Sequence, residues 1–466
     1  MTKDERKQHL ILKDPNIIKG LFFLAVPLML NNLIRTLHDV VDMYFVSEIP
    51  GFSADAVSSI SLTFPVVFTF ISFGMGLSAA GTALISQQVG SKQLEKARLY
   101  ASNLVVIALI TGVILNLFSF LSAPTIMRLM GTEGFVYENS VSYLRIRSFE
   151  LPVLFLFFAF TSIRQASGDT VTPVIFGVIT MVVNIILSPI FISVLGFGVP
   201  GAAYATLIGN VVIMPFGLSL LFRSKTGITI RQSYLKLDPE VSRRTIRTAI
   251  PASLGQSITA IGFGIMNSVI VSYGIQTVAA FSVGNRLISV ILHPVMAIGA
   301  VLTAYIGQNI GNQNTERAKE TFKQAMILSV SLMVFGSAIL MGFREYLAAF
   351  FIKDDPIALK LTVEYMFYLL IGLPLMAVFQ TFIGTFNGTG NTQYTFIISI
   401  TRLWLLRLPL ILFFRYFTDL GNSGIWYAML ISNLVIAFVG ILLYVRIDFK
   451  PKIEIERGEK RSVSRA

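Results

Sequence analysis

Apolar residues run in long stretches separated by short polar segments over nearly the whole of this 466-residue chain. The stretches lie at 20–46, 56–86, 98–121, 138–163, 171–194, 201–223, 246–273, 279–308, 322–341, 361–385, 394–417 and 423–446. A helix needs about 20 apolar residues to cross the hydrocarbon core of a bilayer. Each stretch meets or approaches that length, and several exceed it, which predicts tilt, kinks or extension past the membrane. Proline stands inside or beside many of them, at Pro27, Pro65, Pro152, Pro189, Pro251, Pro294, Pro374 and Pro409. Each removes a helical hydrogen bond and favours a kink. The pattern predicts an all-α integral membrane protein with twelve transmembrane helices.

Composition agrees. The chain is 54% hydrophobic and only 13% charged, against about 25% charged residues in soluble domains. The net charge of +12 lies mainly in the connections. The N-terminus, the 87–97 loop, the 224–245 connection, the 309–321 loop and the tail after Arg446 are rich in Lys and Arg, whereas the loops near 47–55, 195–200 and 274–278 have none. Positive residues stay on the cytoplasmic side, so both termini are expected there, in a multi-pass prokaryotic cytoplasmic (inner) membrane protein. This reading of the charge excludes a nucleic-acid partner. The first apolar stretch is too long for a signal h-region and has no small-residue cleavage site, so it reads as a retained helix.

An internal repeat organises the chain. Thr82-Ala83-Leu84-Ile85-Ser86-Gln87-Gln88-Val89-Gly90 matches Thr303-Ala304-Tyr305-Ile306-Gly307-Gln308-Asn309-Ile310-Gly311. The segment Gly201–Asn210 matches Gly424–Asn433, and Ala25-Val26-Pro27 aligns with Ala249-Ile250-Pro251. The separations stay between 221 and 224 residues. Six spans per half is an even number, so both halves enter from the same side and form a parallel repeat of two pseudo-symmetric six-helix lobes. The expected division is 1–223 for the N-terminal lobe, 224–245 for a cytoplasmic linker, 246–446 for the C-terminal lobe and 447–466 for a basic tail.

Ionisable residues at membrane depth are costly and mark function by default. The first span concentrates them: Asn31, Asn32, Arg35, His38, Asp39 and Asp42. Arg35, Asp39 and Asp42 follow i, i+4, i+7 spacing and share one helical face. A self-neutralising Arg35–Asp39 pair that packs two helices is the plain alternative, and it leaves Asp42 over. The equivalent span of the second half has Met266 and Asn267 where the repeat places Asp42. Arg402 and Arg407 stand in the eleventh span, where packing and substrate contact are both open readings. Glu150, beside Pro152, reads as interfacial.

Several chemistries are excluded. There is no cysteine and there are three scattered histidines, so thiol and zinc chemistry have no basis. No Gly-x-x-x-x-Gly-Lys-Ser/Thr loop is present, so an ion gradient rather than ATP is the expected energy source. No cluster of catalytic groups suggests an enzyme, no cofactor is called for, and no obligate protein partner is evident beyond the surrounding lipid. The 16 methionines and 38 phenylalanines offer adaptable apolar surface, most of it expected to face lipid.

The chain resembles the multidrug and toxic compound extrusion (MATE) family. Pro27 and the run His38-Asp39-Val40-Val41-Asp42-Met43-Tyr44-Phe45-Val46-Ser47 fill the family pattern of the first helix. Arg164-Gln165-Ala166-Ser167-Gly168-Asp169-Thr170 through Pro173 fills the motif after the fourth, with Asn387-Gly388-Thr389-Gly390-Asn391-Thr392 as its counterpart. The resemblance implies a cation-coupled antiporter exporting small amphipathic, often cationic compounds, and within the family it points to the DinF-like branch. It implies an ion-coupling site of Asp42, Asp39, Asn184, Ser188 and Thr206, where Ser188 replaces a family aspartate. It also places Pro27, Arg35, His38, Arg402 and Arg407 as cavity or gating residues. One carboxylate suffices for a proton, whereas sodium is easiest to hold with more than one, so the proton gradient is the expected driving force and Na+ the second choice. A flippase for a lipid-linked or otherwise amphipathic substrate is the alternative, kept open by Arg35, Arg402 and Arg407.

Overall fold

The computed structural model describes residues 3–47, 53–224, 227–353 and 355–454; for residues 3, 4, 33–44, 46, 47, 53 and 54 only the backbone course is described. All regular structure in the described residues is helical. A short amphipathic helix α1 (Lys3–Leu12) precedes α2 (Ile17–Ser47), α3 (Ser53–Gly90), α4 (Leu94–Leu129), α5 (Gly134–Ser148), α6 (Glu150–Ala166), α7 (Val171–Pro189) and α8 (Gly198–Arg223). The second half follows as α9 (Pro239–Val271), α10 (Ile275–Gly311), α11 (Thr315–Phe351), α12 (Pro356–Gly388), α13 (Thr392–Ile400), α14 (Leu408–Phe417) and α15 (Ser423–Val445).

Among the described residues, ten helical segments are long and apolar enough to cross a membrane, and α5 with α6, bent by 45°, makes an eleventh. Helix α2, apolar over Ile17–Asn32, brings the number to the expected twelve. Helix starts follow local chemistry. Asp238 caps α9 by accepting from the backbone N–H of Glu240 and Val241, with Pro239 at the first helical position. Asp355 does the same for α12 ahead of Pro356. The side-chain oxygen occupies donors that the first turn leaves over, and proline there has no N–H to waste. Two π-helical turns interrupt spans: Ile190–Val194 continues α7, and Thr401–Arg407 joins α13 to α14.

The two halves meet along a pseudo-symmetric seam. Helix α3 packs on α9 and α10, while α2 packs on α7 and α10. Ser253 and Ser257 donate to the carbonyls of Phe73 and Thr69 at 2.7 and 3.1 Å. At the end of the bundle bearing the 87–97 and 309–321 loops, the first repeat motif crosses its own copy. A Cβ on Gly90 would overlap the carbonyl of Gln308, and one on Gly311 would overlap that of Gln87. Gln87 Nε2 donates to the Gly388 carbonyl at 3.2 Å, and Gln308 Nε2 donates to the Ala166 carbonyl at 2.7 Å. Each contact is the repeat image of the other, and only glycine allows backbones this close.

The chain ends brace the same region. Arg317 donates to the carbonyls of Ile11 and Asp14 at 3.2 and 2.6 Å, and Lys7 pairs with Asp169 at 3.1 Å. Helix α1 therefore touches both halves, where composition alone suggested only a polar tail. Lys452 donates its N–H to Gln87 at 2.9 Å, and Glu454 pairs with Arg244 at 2.6 Å.

Candidate functional site

Four helices of the first half bring polar side chains together. Asn184 on α7 donates to Thr206 Oγ1 on α8 at 3.1 Å, and Ser188 Oγ donates to Asn184 Oδ1 at 3.3 Å. Thr206 donates in turn to the Ala202 carbonyl at 3.0 Å. The sequence expectation placed these three residues in one site, and they form one hydrogen-bonded group. Asn184 and Ser188 are buried.

The group continues one helical turn along α8. Asn210 Nδ2 donates to the Thr206 carbonyl at 3.0 Å and to Glu150 Oε1 at 2.9 Å. Glu150 Oε2 pairs with Arg147 at 2.8 Å, and the Glu150 residue is 4% exposed. Glu150 opens α6 at the 45° bend with α5, about halfway along that span. It is therefore a buried, paired acid at the bend of that helix pair.

Arg35, His38, Asp39 and Asp42 lie on α2, but their side chains fall outside the described residues. Pro27 sits half-buried inside the same helix. The remaining expected residues, Arg402 and Arg407, are far along the chain. Both flank the midpoint of the Thr392–Phe417 span within its π-helical turn, and they are 2% and 4% exposed. Arg407 Nε donates to Ser432 Oγ at 3.0 Å and its NH2 to Asn433 Oδ1 at 2.7 Å. Arg402 lies 4.0 Å over the Phe379 ring and 2.9 Å from the Met376 sulfur. Neither has a carboxylate partner among the described residues.

Outside the spans, the Arg164–Pro173 motif proves to be a staple. Arg164 Nε donates to Asp169 Oδ2 at 2.9 Å, Thr172 Oγ1 donates to the same oxygen at 2.6 Å, and Lys7 approaches Oδ1 at 3.1 Å. Gly168 supplies the left-handed turn at φ 79° that aims Asp169 back at Arg164. Burial pushes the Asp169 carboxyl up, but the Thr172 hydrogen bond and the Arg164 and Lys7 charges outweigh it and hold it below the usual carboxylate value.

The MatE family model matches residues 27–190 and again 251–413. The chain belongs to the MATE family. The double match falls on the two halves that the internal repeat defines. Among curated relatives, the probable multidrug resistance protein YoeA of Bacillus subtilis is 28% identical, covering 88% of this chain and 90% of its own. The multidrug export protein MepA of Staphylococcus saprophyticus is 24% identical over 98% of this chain and 99% of its own. A FAD transporter of Shewanella oneidensis is 25% identical, covering 95% and 97%. Among solved structures, an outward-facing multidrug resistance MATE transporter of the MOP superfamily superposes with a TM-score of 0.87 at 26% identity, over 96% of this chain and 98% of that one. As a MATE protein, the chain is a multi-pass membrane transporter of the twelve-helix, two-lobe type.

Proposed function

We propose that this MATE protein is a proton-coupled antiporter of the DinF-like branch, exporting small amphipathic compounds, cations among them, across a bacterial cytoplasmic membrane. Lobes 1–223 and 246–446, joined by 224–245, rock against each other, with both termini cytoplasmic. The observation that carries the reading is the polar group Ser188–Asn184–Thr206–Asn210–Glu150 inside the first lobe. Buried polar side chains at membrane depth are expensive and persist where ions or protons pass. Helix α2, which carries Asp42, packs against both α7 and α8 of that group. The paired Gln87 and Gln308 contacts support a form closed at the basic end of the bundle, the end taken here as cytoplasmic. The relatives named for multidrug export support the cargo class, and the FAD transporter among them argues that the range extends beyond cations.

Transport of a fluorescent drug into inverted vesicles tests the reading. Uptake is expected under a proton gradient and is expected to vanish in Asp42→Asn without loss of folded protein. Normal uptake in that variant would remove the coupling role.

A further inference from the structure

Both chain ends cross the seam, and they do so at places that the repeat makes equivalent. Gly168 and Asp169 follow α6, and their images 222 residues on, Gly390 and Asn391, follow α12. Gln87 and Gln88 lie in the last turn of α3, and their images 221 residues on, Gln308 and Asn309, lie in the last turn of α10. Helix α1 sits between the Gly168 turn of the first lobe and the α10 end of the second. Lys7 pairs with Asp169, and a Cβ on Gly168 would stand 3.1 Å from Ile11 Cδ1. The Ile11 carbonyl accepts from Asn309 at 3.4 Å and from Arg317 at 3.2 Å, and the Leu10 carbonyl accepts from the Tyr305 hydroxyl at 3.2 Å. The segment after α15 sits in the image of that notch, with the lobes exchanged. The Asp448 carbonyl accepts from Asn391 at 3.3 Å, a Cβ on Gly390 would stand 2.8 Å from Lys452 Cγ, and the Lys452 N–H donates to Gln87 at 2.9 Å.

Each end is tied to its own lobe and to the other one. Each also seats one isoleucine across the seam. Ile11 is buried in the cluster that holds Tyr305 and Ile310 of α10 and Ala318 of α11, and Ile453 is buried in the first-lobe cluster that holds Tyr100 and Leu104. Lys7 and Ile11 are one helical turn apart, about 6 Å, a distance that does not stretch. When the lobes part at Gly90 and Gly311, α1 cannot follow both, so one of its anchors lets go. Gln87 is held twice by the second lobe, through Nε2 on the Gly388 carbonyl and through Oε1 by the Lys452 N–H. Movement at Gln87 therefore strips the C-terminal segment as well. One buried side chain and a few hydrogen bonds to carbonyls at each end are contacts small enough to release and re-form.

We propose that α1 and the 447–454 segment are paired straps, which hold this end of the bundle closed and release when it opens. Each strap binds only the closed arrangement of the lobes, so each shifts the balance toward it, and loss of either shifts the balance toward the open form. The inference rests on the rocking of the lobes put forward above.

The test uses the full chain in phosphatidylcholine proteoliposomes with Ser86→Cys as its single cysteine. Ser86 is buried where α3 meets Gly307, so a membrane-permeant maleimide reaches that position when this end opens. With opening fast against labelling, the rate tracks the open population. Labelling is expected to be slow with both straps intact and about tenfold faster with Ile11→Ser or Ile453→Ser, the scale of unseating one buried isoleucine. The two changes together should multiply, because both straps bear on one equilibrium. Lys7→Gln leaves Ile11 seated and should give a smaller rise, keeping the question answerable if Ile11→Ser unfolds. Ser162→Cys, inside the first lobe against Thr82, is the control and should stay slow throughout. A rate at position 86 that ignores all three strap changes, or a rise matched at position 162, would overturn the proposal. The rocking reading fails separately. Position 86 closed to the reagent in every variant removes opening at this end and the straps with it, whereas labelling that the strap changes leave alone removes only the straps.

Discussion

Asn210 and Asn433 occupy equivalent positions in the two lobes and turn their amides toward opposite charges. Asn210 donates to the Glu150 carboxylate at 2.9 Å, and Asn433 accepts from the Arg407 guanidinium at 2.7 Å. An amide carries both a donor and an acceptor, so one scaffold residue serves either polarity. The repeat preserves the helices and seam, while the charge it presents differs between copies.

The first prediction concerns Glu150 as part of a buried ion pair. Removing one partner leaves a charge uncompensated in a poorly solvated site, at a cost of about 3–5 kcal/mol, whereas removing both spares that penalty. Glu150→Leu should therefore lower thermal stability strongly, and Arg147→Met with Glu150→Leu should recover part of it. A double variant no more stable than the single would show that the two residues do not act as a pair.

The second concerns the seam. A Cβ placed on Gly307 would stand 3.1 Å from Ser86 Cβ, slightly under the usual disulfide separation of about 3.5–4.5 Å. The chain has no native cysteine, so Ser86→Cys with Gly307→Cys reports without background. Oxidation should cross-link the lobes and stop transport, and reduction should restore it. Transport undiminished by a complete cross-link would mean that this end does not open in the cycle.

Much of this architecture was legible because membrane helices announce themselves by length and hydropathy, and because the copied motif around Gln87 and Gln308 is long enough to exceed chance. Grouping Asn184, Ser188 and Thr206 depended on family resemblance; their spacing alone does not bring α7 to α8. The partners of Glu150 were not legible, because nothing in a linear pattern brings Asn210 of α8 against the start of α6. Helix α1 was missed because its polar composition hides the few contacts, such as buried Ile11 and the Lys7–Asp169 pair, that dock it.

The third prediction follows from the lowered carboxyl of Asp169. A carboxylate whose folded value is depressed adds stability above its unfolded value and loses it as pH falls through the folded one. Docking of α1 through Lys7 should therefore persist through neutral and mildly acidic pH and weaken only below about pH 4, the ordinary aspartate value. Hydrogen exchange of residues 3–12 as a function of pH checks this. Release near pH 6 would exclude Asp169 as the controlling group.

The last prediction is that protons rather than sodium drive export. Sodium must shed water and take several protein oxygens, most readily with more than one carboxylate at hand. In the described residues, Ser188 brings a hydroxyl to the group that holds Asn184 and Thr206, and Glu150 is engaged by Arg147 and Asn210. Its charge is already answered there, which leaves it poorly disposed toward a second cation. A proton asks only for one carboxylate whose affinity changes as the lobe is wetted or closed, since burial favours the neutral acid and solvation the anion. Asp42 on α2 is the residue proposed for that role, with Asp39 one turn away as the rival that a sodium mechanism would recruit. Vesicles carrying a sodium gradient at equal pH, with an ionophore to abolish any secondary proton gradient, separate the two. Transport is expected to be absent there and present under a pH gradient without sodium. The opposite pattern, abolished by Asp39→Asn as well as by Asp42→Asn, would establish a two-carboxylate sodium site in its place.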